Sequence, residues 1–112
     1  MRRVHIDFET RSKVNIFDAG AYRYAEDPST EILCIAYAVD DEPVRIITKE
    51  MLYDFRWVKQ VKAVRHLQVL AEDPNVIFVA HNAYFEQVIW GHKLADFPPL
   101  PPERWRCTAA GH

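Results

Sequence analysis

The sequence predicts an α/β fold in which a mixed sheet is flanked by helices. Helical patterns of apolar residues alternate with apolar segments of strand length, in the order strand, hairpin, helix, strand, helix, short strand. A helix that connects two strands of one sheet implies a right-handed crossover, so the strand after the first helix should run parallel to an earlier strand. The 112 residues are enough for one domain at most, and we expect a single unit over residues 1–112.

The first predicted strand, residues 3–10, carries two carboxylates two residues apart. Because strand side chains alternate between faces, Asp7 and Glu9 should project together while the apolar residues between them point into a core. Two like charges on one face repel each other unless a cation lies between them, and hard divalent ions such as Mg²⁺ or Mn²⁺ prefer oxygen ligands. The pair therefore indicates a metal site, although a solvated strand end has the same Asp-x-Glu pattern.

The next predicted strands form an antiparallel hairpin. Residues 31–39 are a nearly continuous apolar run, residues 40–43 form an acidic turn, and residues 44–47 are again apolar. The continuity of the first run predicts a strand that is covered on both faces and pairs with the first strand. Residues 11–27 are rich in turn formers, such as Asp18-Ala19-Gly20, and we predict a connection there.

Helical periodicity follows the hairpin. Apolar residues recur at three- and four-residue spacing over residues 51–72, at Trp57, Val61, Val64, Leu67 and Ala71. Asp73-Pro74 should end this helix, because a residue before proline is pushed out of the helical region. Residues 75–80 predict a short buried strand, residues 83–94 a second helix, and residues 104–108 a last short strand after a proline-rich link.

Glu86 lies in the first turn of the second predicted helix, which Asn82 is expected to cap. If the preceding strand lies parallel to the first one, both end at the same sheet edge. The turn after Ala80 then comes close to Asp7 and Glu9. Glu86 is available there as a third oxygen ligand, or it simply complements the helix dipole.

Composition is that of an ordinary globular protein. Hydrophobic residues make up 49% and charged residues 27%, which argues against disorder, and the net charge of −2 means that any nucleic-acid binding must be local. Cys34 and Cys107 are far apart and lack CxxC spacing, so we expect reduced thiols in a cytosol. The sequence shows neither a membrane-spanning apolar run nor a signal peptide, and we expect a cytoplasmic protein.

Two motifs carry a family resemblance. His5-Ile6-Asp7-Phe8-Glu9-Thr10 and Asn82-Ala83-Tyr84-Phe85-Glu86 resemble the first two motifs of the DnaQ-type 3′–5′ exonucleases of the RNase H-like class, which bear four acidic ligands. Residues 7–11, 22–33 and 79–83 resemble the proofreading exonuclease domain of phage-type family A DNA polymerases. The resemblance implies an RNase H-like fold and a 3′–5′ DNA exonuclease in a bacterial or phage-infected cell.

The resemblance also implies a metal-ligand set. Asp7 and Glu9 match the first-motif ligands, with Asp7 as the bridging carboxylate, and Glu86 takes the second-motif position, where the family usually has aspartate. In such enzymes two divalent ions, Mg²⁺ or Mn²⁺, lie about 3.5–4 Å apart. They activate a water molecule for attack on the terminal phosphodiester of a DNA 3′ end.

Three further residues match positions near the substrate. By resemblance, Asn82 fixes the turn, Phe85 packs against or borders the nucleotide pocket, and Thr10 lies near the terminal nucleotide. A helix cap, a core aromatic and a strand-end threonine are alternative interpretations of the same three residues.

The third family motif, Tyr-x-x-x-Asp or His-x-x-x-Asp, has no suitable match after Glu86. His92 and Asp96 have the spacing but fall on the tail of the second predicted helix. The chain is therefore expected to be the N-terminal part of an exonuclease domain, C-terminally incomplete and impaired alone. Completion is expected from another polymerase or exonuclease chain, from a homo-oligomer or from the same chain in a longer protein, or it does not occur, and the sequence does not separate these alternatives. We expect uncovered apolar surface, which predicts oligomerisation or a protein partner. The alternative is a non-catalytic RNase H-like fragment that serves as an assembly or nucleic-acid-binding module.

Overall fold

The computed structural model describes residues 2–53 and 61–108. Its strands are β1 Arg2–Arg11, β2 Glu31–Val39, β3 Arg45–Thr48, β4 Val76–Ala80 and β5 Trp105–Cys107. Its helices are α1 Ile16–Glu26, α2 Lys49–Tyr53, α3 Lys62–Glu72 and α4 Ala83–Lys93, with a 3-10 turn at Pro102–Arg104. Within these ranges, no helix is both long enough and apolar enough to cross a membrane.

One five-stranded mixed sheet organises the fold, in the order β3-β2-β1-β4-β5. The β2–β3 hairpin is antiparallel and β2 pairs antiparallel with β1, as predicted. β4 runs parallel to β1, which confirms the predicted parallel pairing, and β5 runs parallel to β4. The predicted fold class, a mixed α/β sheet flanked by helices, is confirmed.

The prediction of a plain connection over residues 11–27 is wrong, because α1 occupies most of it. Asn15 caps this helix, since its side-chain oxygen accepts a hydrogen bond of 2.9 Å from the backbone N–H of Phe17. Gly20 interrupts the helix at φ +83°, a conformation that residues with a side chain rarely adopt. The glycine that indicated a turn is thus a kink between two helical segments.

The predicted helix over residues 51–72 is confirmed for α3, where Val64, Leu67 and Ala71 are buried as the periodicity requires. A separate short helix, α2, ends at Tyr53. Residues 54–60, and with them the predicted core position Trp57, lie outside the described residues.

The helices pack on one face of the sheet. Buried residues of all four helices belong to one core cluster, which also contains Val4, Ile6 and Phe8 of β1. Trp90 of α4 packs against Phe8, Phe78 and Trp105, whose ring centroids lie 6.5, 5.4 and 6.1 Å away. The hydroxyl of Tyr37 on β2 donates to the carbonyl of Ala63 at the start of α3, at 3.0 Å.

The burial of β2 differs from the prediction that both of its faces are covered. Ile35, Tyr37 and Val39 are buried under the helices, whereas Ala36 and Ala38 point to the other face and are only half-buried. The expectation that both faces of this strand are covered is therefore wrong for the described residues. The apolar run over residues 31–39 is continuous because alanine is an apolar residue, and this continuity does not require a layer on each face.

Arg104 holds the C-terminal end of α3. Its guanidinium donates hydrogen bonds to the carbonyls of Ala71 and Asp73, both at 2.6 Å, and to those of Leu70 and Val76. The carbonyls of Leu70 and Asp73 also accept backbone hydrogen bonds, from the N–H groups of Asp73 and Val76. The guanidinium therefore adds charge-assisted hydrogen bonds to the turn that links α3 to β4.

We predict that Arg104→Met lowers the free energy of unfolding by about 2–4 kcal/mol, because it removes charge-assisted hydrogen bonds to partly buried carbonyls. Urea unfolding monitored by circular dichroism measures the change. Arg65→Met, at an exposed position of α3, is the matched control and should shift stability by less than about 0.5 kcal/mol. Equal effects of the two substitutions would show that the carbonyl contacts contribute nothing.

Candidate active site

The candidate site lies where β1 continues beyond the end of its parallel neighbour, β4. The last registered pair between these strands is His5 with Val79, and β4 ends one residue later at Ala80. β1 continues to Arg11. Asp7 is therefore level with the point at which the chain leaves β4 and turns into α4, and the sheet edge beside it is open on this side.

Glu86 belongs to the helix that begins at this turn. It lies in the first turn of α4, its residue is only 4% exposed, and its Oε2 atom has no hydrogen-bond partner. Burial, followed in size by the negative charges of Asp7, Glu9 and Cys107, raises the pKa of this carboxyl from 4.5 to about 8. The structure thus places the three predicted carboxylates within electrostatic range of one another.

Asp7 and Glu9 are exposed on the sheet face opposite the helices, as the alternation predicts. Directly after Glu9 the pairing with β2 shifts, because Glu9 pairs with Cys34 whereas Thr10 pairs with Ile32, so that Leu33 is an extra residue. Such a β-bulge bends the strand and changes the direction of the side chains beside it. Nothing in the sequence pattern indicated this bulge.

Thr10 and Phe85 both contact the side chain of Tyr24. The hydroxyl of Thr10 shares a hydrogen bond of 2.9 Å with the hydroxyl of Tyr24, and the Phe85 ring lies 5.9 Å from the Tyr24 ring. Tyr24 belongs to α1 and is buried. Tyr24 was not among the predicted site residues, because residues 11–27 were predicted to be a connection. The available signal was Asn15, a preferred N-cap residue, directly before an apolar residue.

Asn82 occupies the N-cap position of α4, but its side chain makes no capping hydrogen bond, so that part of the prediction is wrong. The turn is held from β5 instead. The backbone N–H of Ala83 donates to the Cys107 sulfur at 3.5 Å, and the Cys107 thiol donates to the carbonyl of His81 at 3.2 Å. The edge strand therefore fixes the start of the helix that carries Glu86.

His92 and Asp96 lie away from this turn. His92 is in the last turn of α4, where its Nδ1 atom is 2.8 Å from the carbonyl oxygen of Val88 and its ring lies 5.0 Å from that of Tyr22. The prediction that this pair falls on the tail of the helix is confirmed for His92, whereas Asp96 lies in the turn that follows the helix.

Carboxylate oxygens are the donors that Mg²⁺ and Mn²⁺ prefer, and the unpaired buried Oε2 of Glu86 is an atom that a cation would satisfy. In donor chemistry the residues fit a divalent ion. In residues 2–53 and 61–108, however, no three or more His, Cys, Asp and Glu side chains are arranged to hold an ion in this conformation. The three-carboxylate metal site stays a prediction.

The sheet order and the helices on it are those expected of an RNase H-like α/β protein. Over 110 residues, 97% of its length, the chain is 38% identical to a DNA polymerase of Bacillus phage SP02. The chain spans about 15% of the length of that relative. No protein-family model matches the chain. The similarity supports a domain related to a segment of a phage DNA polymerase.

The raised pKa of Glu86 predicts a pH dependence of stability. Between its ordinary value of 4.5 and about 8, the folded state holds a proton on Glu86 that the unfolded state has released. Stability therefore falls as pH rises through this window. In metal-free buffer, the wild type should lose a few kcal/mol between about pH 5.5 and about pH 8.5 relative to Glu86→Gln.

Urea unfolding of both proteins at the two pH values measures this difference. The lowered pKa of His66 acts in the opposite direction, but it is common to both proteins and cancels. Glu72→Gln, which removes an exposed carboxylate from α3, is the control and should follow the wild type. Parallel pH profiles for wild type and Glu86→Gln would contradict the assignment of a buried, protonated Glu86.

Proposed function

We propose that this chain is a 3′–5′ exonuclease-type domain that hydrolyses phosphodiester bonds at the 3′ ends of single-stranded DNA with divalent metal. One observation supports the proposal: the carboxyl of Glu86 is buried, its Oε2 atom has no hydrogen-bond partner, and the charges of Asp7 and Glu9 are near enough to raise its pKa. Open α/β sheets bind ligands at such edges. The similarity to a phage DNA polymerase supports DNA as the substrate class.

In this proposal Asp7, Glu9 and Glu86 hold Mg²⁺ or Mn²⁺. A divalent ion at such a site supplies activation of a water molecule and stabilisation of the departing 3′ oxygen. The chain itself contributes the negative charge that attracts the ion. Asp7 and Glu9 are exposed and accessible to it, while Glu86 exchanges its proton for the cation.

The terminal nucleotide is proposed to lie beside Thr10 and Phe85, with Asn82 at the adjoining turn. Tyr24 fixes both: its hydroxyl orients the Thr10 hydroxyl and its ring packs against Phe85. A rigid wall of this kind positions a substrate group without reacting with it.

Catalysis is proposed to need a completing partner. Three carboxylates hold one ion well, whereas a two-ion site needs more ligands and a group that orients the attacking water. The proposed partners are the DNA 3′ end and either a polymerase or exonuclease chain that completes the site or a second copy of this chain. The larger size of the similar phage polymerase favours the first kind of protein partner.

A non-catalytic assembly or nucleic-acid-binding module is the second candidate. It is favoured by the lack, among the described residues, of three ligands arranged for one ion. In that case the acids at the sheet edge would be structural remnants, and the chain would bind DNA or protein without metal.

Metal titration separates the two candidates. We predict that the wild type binds Mn²⁺ and that Asp7→Ala/Glu9→Ala weakens the binding at least about tenfold, because two of three carboxylate ligands are lost. Calorimetry or the electron paramagnetic resonance of free Mn²⁺ measures the affinity. The double variant Glu50→Ala/Glu72→Ala removes two helix carboxylates away from the sheet edge and should bind as the wild type does.

Release of a 3′ label from single-stranded DNA tests the reaction in the same samples. Metal binding with label release that depends on Asp7 and Glu9 supports the nuclease. Metal binding that survives the loss of both acids would rule out this site. DNA binding that is the same with and without Mn²⁺, in the absence of label release, would favour the second candidate.

A further inference from the structure

The start of α4 lacks the side-chain cap that its sequence offers. β4 ends at Ala80, α4 begins at Ala83, and Glu86 follows within the first turn of that helix. The first backbone N–H groups of a helix have no acceptor within the helix, and the residue before the helix often supplies one. Asn82 is in that position but makes no capping hydrogen bond. The start of this helix therefore depends on an acceptor from elsewhere in the fold.

Cys107 of β5 supplies an acceptor and also a donor. Its sulfur accepts the backbone N–H of Ala83 at 3.5 Å, and its thiol donates to the carbonyl of His81 at 3.2 Å. The two contacts lie on either side of Asn82, so one side chain spans the turn. A thiol is a weak donor and a weak acceptor, so the turn is held by the two contacts together rather than by one strong bond.

β5 gives Cys107 a fixed position. Cys107 pairs with Ala80 in the parallel β4–β5 ladder, and the backbone N–H of Thr108 donates to the carbonyl of Ala80 at 2.9 Å. Trp105, two residues earlier on the strand, is buried and packs against Trp90 of α4, with the ring centroids 6.1 Å apart. The strand is thus attached to both β4 and α4, and its thiol lies at the junction of the two.

Glu86 is the site residue whose position depends on this junction. Its backbone N–H donates to the carbonyl of Asn82 at 3.3 Å, which connects it directly to the turn. Its carboxyl is buried and the Oε2 atom has no hydrogen-bond partner that would hold it. Burial, then Asp7 and Glu9, and last Cys107 raise the pKa of Glu86, so the sulfur lies within electrostatic range of the carboxyl. The conformation of the turn therefore determines where this carboxyl lies.

We propose that Cys107 is a positioning residue for Glu86: its thiol ties the β4–α4 turn to β5 and so keeps the carboxyl of Glu86 buried near the other two acids. The consequence for metal binding rests on the proposed function, in which this carboxyl is a ligand. Cys107 acts through Glu86 and contacts neither the ion nor DNA. Residues that orient a metal ligand in this way contribute a factor of roughly 10–100 to metal affinity.

Two substitutions at position 107 test the proposal. Cys107→Ser keeps a donor and an acceptor, whereas Cys107→Val keeps an apolar side chain of similar size and removes both. Each variant is the control for the other, since both lose the sulfur. The accessibility of the Glu86 carboxyl is measured in metal-free buffer at mildly acidic pH, by carbodiimide coupling to an amine followed by peptide mass spectrometry.

We expect Cys107→Val to raise the coupling rate of Glu86 at least about fivefold, because release of the turn exposes the carboxyl. Cys107→Ser should stay within about twofold of the wild type, because it retains both hydrogen bonds. The amide of Leu67, in the buried part of α3, should stay protected from hydrogen exchange in all three proteins, which separates local opening from unfolding. Equal rates in wild type and Cys107→Val, or equal increases in both variants, would overturn the proposal.

Infrared spectroscopy supplies a test that does not depend on how the variants at position 107 fold. A thiol that donates to a carbonyl has its S–H stretching band at a lower frequency than a thiol without an acceptor. Cys34→Ser leaves Cys107 as the one thiol of the chain, so the remaining band belongs to it. We expect the lower frequency, and a band at the frequency of a thiol without an acceptor would overturn the proposal.

Mn²⁺ titration of the same proteins connects this position to the proposed function. Cys107→Val should weaken Mn²⁺ binding at least about tenfold, whereas Cys107→Ser should bind within about threefold of the wild type. Equal binding by wild type and Cys107→Val would overturn the effect on the ion. If the wild type binds no Mn²⁺, the proposed function fails, whereas the coupling rates and the infrared band still decide whether Cys107 positions Glu86.

Discussion

The unequal lengths of two parallel neighbours, β1 and β4, determine the architecture of the candidate site. β4 stops at Ala80, and α4 begins three residues later, so the carboxyl half of β1 has no parallel partner. Glu86 lies in the first turn of this helix, near enough to Asp7 and Glu9 for their charges to raise its pKa. The number of residues over which β4 pairs with β1 is a backbone property, and it determines where the acidic residues of the candidate site lie.

Electrostatics then constrain the occupancy of the site. A buried carboxylate beside two others is costly, because desolvation and repulsion both disfavour its charge. Two solutions exist: a proton on Glu86, or a cation shared among the oxygens. The proton suffices for a stable fold at mildly acidic pH, whereas the cation is the solution that allows all three acids to be charged. The hydrogen bonds of Cys107 to the turn keep Glu86 in place in either case, because they hold the helix start through the edge strand.

Strand identity and order were readable from the sequence because alternation in β1, the acidic turn of the hairpin and the helical period of α3 are local patterns. Three features were not. Gly20 marks a kink inside α1 rather than a turn, so a helix was missed, and Tyr24 with it. The extra residue Leu33 depends on how two strands align. Ala36 and Ala38 count as apolar in any pattern, yet their small size is compatible with an open face as well as with a covered one. The approach of Glu86 to Asp7 and Glu9 was expected if β4 lay parallel beside β1, which it does. The distances that decide ion binding depend on side-chain conformation, which sequence patterns do not encode.

The three acids differ in their access to solvent. Asp7 and Glu9 are exposed, so solvent screens their charges and weakens their mutual repulsion. Glu86 is buried and lacks this screening, so its charged form is the most costly of the three. The protonation state of this one carboxyl therefore decides whether the candidate site needs a cation to balance its charge.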